Sequence, residues 1–451
     1  MRGMPDQRFL AALLAMLGKA AVPLVASDAV LQGCRYGLIA YLGYLSFSLL
    51  GSYLFGSAIG ALAAVAIDFG INQHWLRLDS SIGGLTRQTF TRVLAAKLGL
   101  SFIQIVAFVA LMQGGIWSRS FPLMMVIGLI MANLHALVET CEAVGFICHR
   151  HRLVALVRVV LGLMLYAAPV CAVLLAGDHA ETMIQSLLQA GLFGGMLILS
   201  GYVWKASRML VDLPELGEGC LSAWRASRWL GLNQLAIVVD VRAPLVILGL
   251  LLGETAVGLY GLVQRTTAVV ELAWASISKL LLKSYAEEVS IRGGHVVQQH
   301  IVHASWVTGA IMVTGITGVW AGIRYIEQLD RWSQDMQTGL ALLRWATVAI
   351  GLSSLKRPLV LGLIALHHER AVCAINLLSA AVGLVSVPLL IWSFGIWGPI
   401  MAAVVCEAGA ILLLVSSFRA ARRGFEAEVE LTRARTSDWV SRGTAGSRHS
   451  L

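Results

Sequence analysis

Residues Gly51 to Ile71 read GSYLFGSAIGALAAVAIDFGI, about twenty residues among which only Asp68 is charged. A stretch of this length and polarity crosses the bilayer core as one α-helix, because backbone groups in hydrocarbon must be satisfied within the segment. The pattern recurs along the chain. Similar runs occupy Val22 to Leu45, Val93 to Met112, Phe121 to Ile147, Leu153 to Leu175, Met183 to Val203 and Trp229 to Leu252. Five more follow at Thr255 to Leu282, Ile301 to Ile323, Thr338 to Leu361, Val372 to Phe394 and Ile396 to Phe418. Of 451 residues 58% are hydrophobic and 13% charged, and the mean hydropathy is +0.77, which excludes a soluble domain. The reading is an all-α polytopic membrane protein of about 12 transmembrane helices.

Lys and Arg are retained on the cytoplasmic side, so their distribution sets the orientation. Arg77, Arg87 and Arg92, then Arg150 and Arg152, then Lys205, Arg208, Arg225 and Arg228, then Lys283 and Arg292, then Arg370 fall in alternate connections. The other connections hold only Arg119, Arg324 and Arg331, the last two diluted by Glu327, Asp330 and Asp335, and the loops at Asp178 to Glu181 and at Glu254 are acidic or neutral. Both termini are therefore expected in the cytoplasm, with no removable signal peptide. The net charge of +9 is explained by this pattern and needs no nucleic-acid partner. The seven cysteines form no disulfide framework, and the group Cys141, Cys148, His149 and His151 lacks the spacing of a zinc site, so no metal is expected.

The longest internal hydrophilic break, Trp204 to Ser227, leaves six spans on either side. This predicts an N-lobe of residues 1–204, a cytoplasmic linker at 205–228, a C-lobe at 229–418 and a disordered tail at 419–451. The halves echo one another weakly: Asp28, Leu42-Gly43 and Gly51-Ser52-Tyr53 are followed later by Asp240, Leu252-Gly253 and Gly258-Leu259-Tyr260. Two such lobes that rock against each other expose one central cavity to each side in turn.

Charged residues inside the spans are costly and mark candidate sites. Asp28 and Arg35 lie two turns apart on one helical face. Asp240 and Arg242 point in different directions and need partners on other helices. Arg265 falls near the middle of its span, too deep to snorkel, and is read as facing a cavity, against an ion pair with Asp240 or Glu271. Arg344 occupies the tenth span, where Lys356 and Arg357 precede the helix-kinking Pro358. Lys97 and Arg158 sit close enough to a boundary to be read as snorkelling. Glu139, Glu142 and Glu407 are read as pairing with these cations, or as carrying protons in a coupled cycle. Arginines suit an anionic cargo, since the guanidinium replaces the water shell of a phosphate with fixed bidentate donors. No Gly-rich loop ending in Lys-Ser or Lys-Thr is present, so ATP hydrolysis is not expected.

Gly51-Ser52-Tyr53, Ala66-Ile67-Asp68-Phe69-Gly70-Ile71-Asn72 with Arg77, and Val257-Gly258-Leu259-Tyr260 with Gln264-Arg265 resemble motifs of the Wzx-type oligosaccharide flippases. These belong to the polysaccharide biosynthesis family of the multidrug/oligosaccharidyl-lipid/polysaccharide (MOP) exporter superfamily, and the resemblance covers most of residues 20–418. It implies a MATE-like fold of two six-helix lobes in the bacterial inner membrane. The cargo would be a lipid-linked oligosaccharide, commonly on undecaprenyl pyrophosphate, moved from the cytoplasmic to the periplasmic leaflet by alternating access. A cationic cavity for the head group is implied, to which Arg35, Arg242, Arg265 and Arg344 would contribute. Coupling to H+ or Na+ through Asp28, Asp240, Glu271 or Glu407, and partnership with a polymerase and export machinery, are part of the same expectation. No catalytic residue and no cofactor are implied. A cation-coupled multidrug antiporter shares the lobe plan and is the alternative. A membrane-embedded polymerase or ligase is disfavoured because every outer connection is short.

Overall fold

The computed structural model describes residues 21–72, 75, 87–113, 122–148, 150–171, 180–209, 225, 227–267, 294–328, 334–366 and 368–420. They form α1 (Ala21–Leu45), α2 (Phe47–Asp68), α3 (Arg87–Gln113), α4 (Pro122–Ile147), α5 (His151–Gly162), α6 (Ala180–Met209), α7 (Arg228–Leu252), α8 (254–267), α9 (Gly294–Glu327), α10 (Gln334–Ala365), α11 (Glu369–Phe394) and α12 (398–420), with no strand among them. A five-residue π-turn, Leu163–Ala167, extends α5. Each expected span overlaps one of these helices. Among the described residues nine helical stretches are long and apolar enough to cross a membrane, one of which, Arg370–Ala420, comprises α11, the turn Gly395–Trp397 and α12. Helix α1 falls outside the nine because Asp28, Gln32 and Arg35 interrupt its apolar run.

Packing divides the chain into two compact units that do not follow chain order. The first comprises residues 1–266, 332–343 and 380–402, and the second residues 267–331, 344–379 and 403–451.

Helix α2 is the hub of the first unit. Ser46 caps it, accepting from the amides of Ser48 and Leu49, and twelve of its 22 residues are buried. Its small residues let neighbouring backbones come close, which replaces the missing hydrophobic drive for helix association in lipid. A Cβ on Gly56 would lie 1.9 Å from the Met125 carbonyl oxygen, and one on Gly128 of α4 would lie 2.2 Å from that of Tyr53. On another side a Cβ on Gly51 would lie 1.8 Å from the Glu254 carbonyl oxygen, and one on Gly258 would lie 2.1 Å from that of Phe47. The glycines of two motifs quoted above thus clamp α2 to α8. Glu254, read as an outer-loop residue, is buried at the start of α8 and accepts from Ser48 Oγ at 2.7 Å.

At the far end of α2 the chain turns through Phe69 (φ 42°) and Gly70 (φ 77°), and the Phe69 amide donates back to the Val65 carbonyl. A Cβ on Gly70 would lie 2.6 Å from the Gly231 nitrogen, while Ser227 Oγ donates to the Phe69 carbonyl at 2.9 Å. Helix α2 is therefore held to the second half of the sequence at both ends.

In the second unit Ile301, Leu359, Leu363, Val372, Ile375, Ala410, Leu414 and Phe418 form one buried cluster that joins α9, α10, α11 and α12.

Candidate functional site

A cavity of about 450 Å³ lies within the first unit. Its space comes from small residues on facing helices: Ala61 and Ala64 on α2, and Ala132, Ala136 and Ala143 on α4. Polar side chains reach it from several helices, with Arg35 from α1, Asp68 from α2, His135, Glu139 and Glu142 from α4, Arg158 from α5, and Gln234 and Arg242 from α7. Tyr53 and Tyr166 complete the wall, the latter presented by the π-turn.

Several of these charges are held by the protein itself. Lys97 Nζ donates to Asp68 Oδ1 at 2.5 Å, Thr140 Oγ1 at 2.9 Å and Asn72 Oδ1 at 3.0 Å, and it lies 5.9 Å from the centroid of the Trp75 ring. At 4% exposure it is a buried structural cation, which corrects the snorkelling reading. Arg158 is corrected likewise. Its Nε and Nη2 bind both oxygens of Glu142 at 2.7 and 2.6 Å, and its Nη1 binds Asp28 at 2.5 Å. Partners on other helices make a trip to the interface unnecessary for either cation. Asp28 therefore pairs with α5, and the shared face of Asp28 and Arg35 does not bring those two together as a pair.

The remaining arginines are placed differently. Gln264 Nε2 donates to the Val241 carbonyl at 2.8 Å, fixing the register of α8 on α7. The next residue, Arg265, is 8% exposed and lies within electrostatic reach of Arg35 and Arg242. All three act on the Tyr53 ring hydroxyl, which donates to Met131 Sδ. Three of the four expected cations therefore lie within electrostatic reach of Tyr53 in the first unit. Arg35 and Arg242 line the cavity, and Arg265 is not among its lining residues. Among the described residues no carboxylate pairs with Arg265, and Arg35 Nε is buried without a hydrogen-bond partner.

Arg344 belongs to the second unit, where Glu327 accepts its Nη2 and its own carbonyl accepts from the Trp320 indole at 3.0 Å. Glu407 pairs with Lys356 at 2.6 Å in the same unit. Asp240 lies within electrostatic reach of Tyr260. Glu271 lies outside the described residues. His135, which sequence reading passed over, faces the cavity one turn before Glu139, 3.5 Å from its carboxylate. Its signal was available in the i, i+4 spacing on a span.

No family profile matches the chain, and no curated protein does. Solved structures share its fold. The lipid II flippase MurJ in an inward closed conformation superposes with a TM-score of 0.61 at 10% identity over 88% of this chain and 87% of that one. An outward-facing multidrug resistance MATE family transporter of the MOP superfamily gives 0.59 at 11% identity over 94% and 97%. The Vibrio cholerae MATE transporter VcmN in its bent form gives 0.53 at 14% over 93% and 100%. At these identities the likeness is one of fold: the chain is a multi-pass helical membrane protein with the fold that these solved structures have.

Proposed function

We propose that this chain is a flippase of the Wzx type, moving a lipid-linked oligosaccharide from the cytoplasmic to the periplasmic leaflet of a bacterial inner membrane by alternating access. One observation carries the reading. Lys97, Arg158, Arg344 and Lys356 each have a carboxylate partner, whereas the buried Arg265 has none among the described residues and lies within electrostatic reach of Arg35 and Arg242. Like charges gathered in a low dielectric repel one another, and an entering anion removes that cost. A phosphate or pyrophosphate held by Arg35 and Arg242, with Arg265 adding its field, meets this requirement. Arg344, engaged with Glu327, contributes only if that pair opens. The same holds for H+ or Na+ coupling through Asp28 or Glu407, each of which holds a resident cation.

In the native host, deletion is expected to leave the lipid-linked oligosaccharide in the cytoplasmic leaflet, and wild type but not Arg265→Ala to restore export with equal amounts of protein in the membrane. Normal export by Arg265→Ala overturns the reading. Unchanged lipid pools after deletion favour the cation-coupled antiporter instead, for which the cavity acid Glu139 is the supporting observation.

A further inference from the structure

One face of α6 is exposed over its second half. Phe193, Leu197, Gly201, Trp204 and Arg208 all belong to it, Phe193 and Leu197 each at 73% exposure. At 3.6 residues per turn these five positions fall within about a quarter of a turn of one another. A Cβ on Gly201 would meet nothing within 4 Å, so the stripe has an open notch just before Trp204. From Phe193 to Trp204 the helix rises about 16 Å, close to half the thickness of the hydrocarbon core. The apolar part of the stripe therefore has the length of one leaflet.

Beyond it the chemistry changes. The Arg208 guanidinium carbon lies 3.9 Å from the centroid of the Trp204 ring, and Lys205 is exposed next to that tryptophan. Among the described residues neither cation has a carboxylate partner, in contrast to Lys97, Arg158, Arg344 and Lys356. Stacking on the indole orients the guanidinium plane and leaves its in-plane N–H donors for an anion. Indoles are favoured where hydrocarbon meets head groups, and Arg208 stands about 6 Å further along the axis, at the depth of lipid phosphates.

We infer that this face binds an anionic glycerophospholipid of the leaflet it borders, one acyl chain lying along Phe193, Leu197 and Gly201 and the phosphate meeting Lys205 and Arg208. Basic residues at the membrane surface draw anionic lipids in preference to zwitterionic ones, whose head-group charges cancel. None of these residues lines the cavity, so the site is separate from it and independent of what the cavity carries.

The test is native mass spectrometry of the full chain, released from detergent containing phosphatidylglycerol or phosphatidylcholine. Wild type is expected to bind its first phosphatidylglycerol about tenfold more tightly than phosphatidylcholine, the order of one charge-assisted hydrogen bond. Lys205→Gln combined with Arg208→Gln is expected to abolish the preference. Arg92→Gln combined with Arg152→Gln removes the same charge from two other exposed positions on the side expected to be cytoplasmic, and is expected to keep it. Inorganic phosphate, which has the charge without the tail, is expected not to displace the lipid. Equal affinities for the two lipids in wild type, equal losses in the two double variants, or displacement by inorganic phosphate overturn the inference.

Discussion

Arg158 Nη1 lies 2.5 Å from Asp28 Oδ1, an ion pair that joins α5 to α1 across 130 residues of chain. The same guanidinium grips both oxygens of Glu142, so one side chain ties three helices beside the cavity. The two acids differ in setting: Glu142 is 8% exposed and Asp28 is 53% exposed.

That difference predicts unequal mutants. Asp28→Asn removes a half-exposed partner and is expected to cost less than about 1 kcal/mol. Glu142→Gln leaves Arg158 without its bidentate acid and is expected to cost about 3–5 kcal/mol. Thermal unfolding of the purified protein checks this, and equal shifts would refute the division of roles.

Lys97 holds α3 to α2 and α4 through Asp68, Asn72 and Thr140. Lys97→Met strands the Asp68 carboxylate and is expected to reduce folded protein in the membrane sharply. The double change Lys97→Met with Asp68→Asn removes both charges and is expected to recover much of the loss, a coupling read by a double-mutant cycle.

Close backbone packing makes some glycines irreplaceable. Gly56→Ala drives a methyl into the Met125 backbone and is expected to destabilise by about 1–3 kcal/mol or more. Gly33, on α1 with open space around it, is expected to tolerate alanine or gain up to about 1 kcal/mol from helix propensity. Melting temperatures of the two variants should move in opposite directions or differ by several degrees.

The arginines should separate by function. Arg265→Ala is expected to lower export by about ten- to a hundredfold, the scale of a charge-assisted contact to an anion. Arg344→Gln and Glu327→Gln break one and the same pair, so they are expected to resemble each other and to fall short of that loss. Initial export rates at matched membrane abundance decide the comparison.

Much of the architecture was legible in apolar runs. The bilayer tolerates only segments whose backbone bonds close internally, so a run such as Thr338 to Leu361 has few alternatives to the α10 observed around it. Boundaries were less legible. Helix α3 begins at Arg87 and α9 runs from Gly294 to Glu327, beyond the apolar Val93 and Ile301 to Ile323, because helices continue through the interface on polar residues that a hydropathy reading discards.

Charged residues show where sequence reading runs out. Depth along a helix is countable, and it identified Arg265 as too deep to snorkel; partnership is not countable. Lys97 and Arg158 looked like interface residues because Asp68, Asn72, Thr140, Asp28 and Glu142 lie on other helices, far away in the chain. By itself the sequence determined that this is a helical membrane protein with basic residues inside its spans, since length and hydropathy act locally through the lipid. Only the tertiary structure decided which of those charges cancel and which remain, because an ion pair forms between side chains within about 4 Å whatever their separation in sequence, and the close glycine contacts of α2 set which helices stand that near.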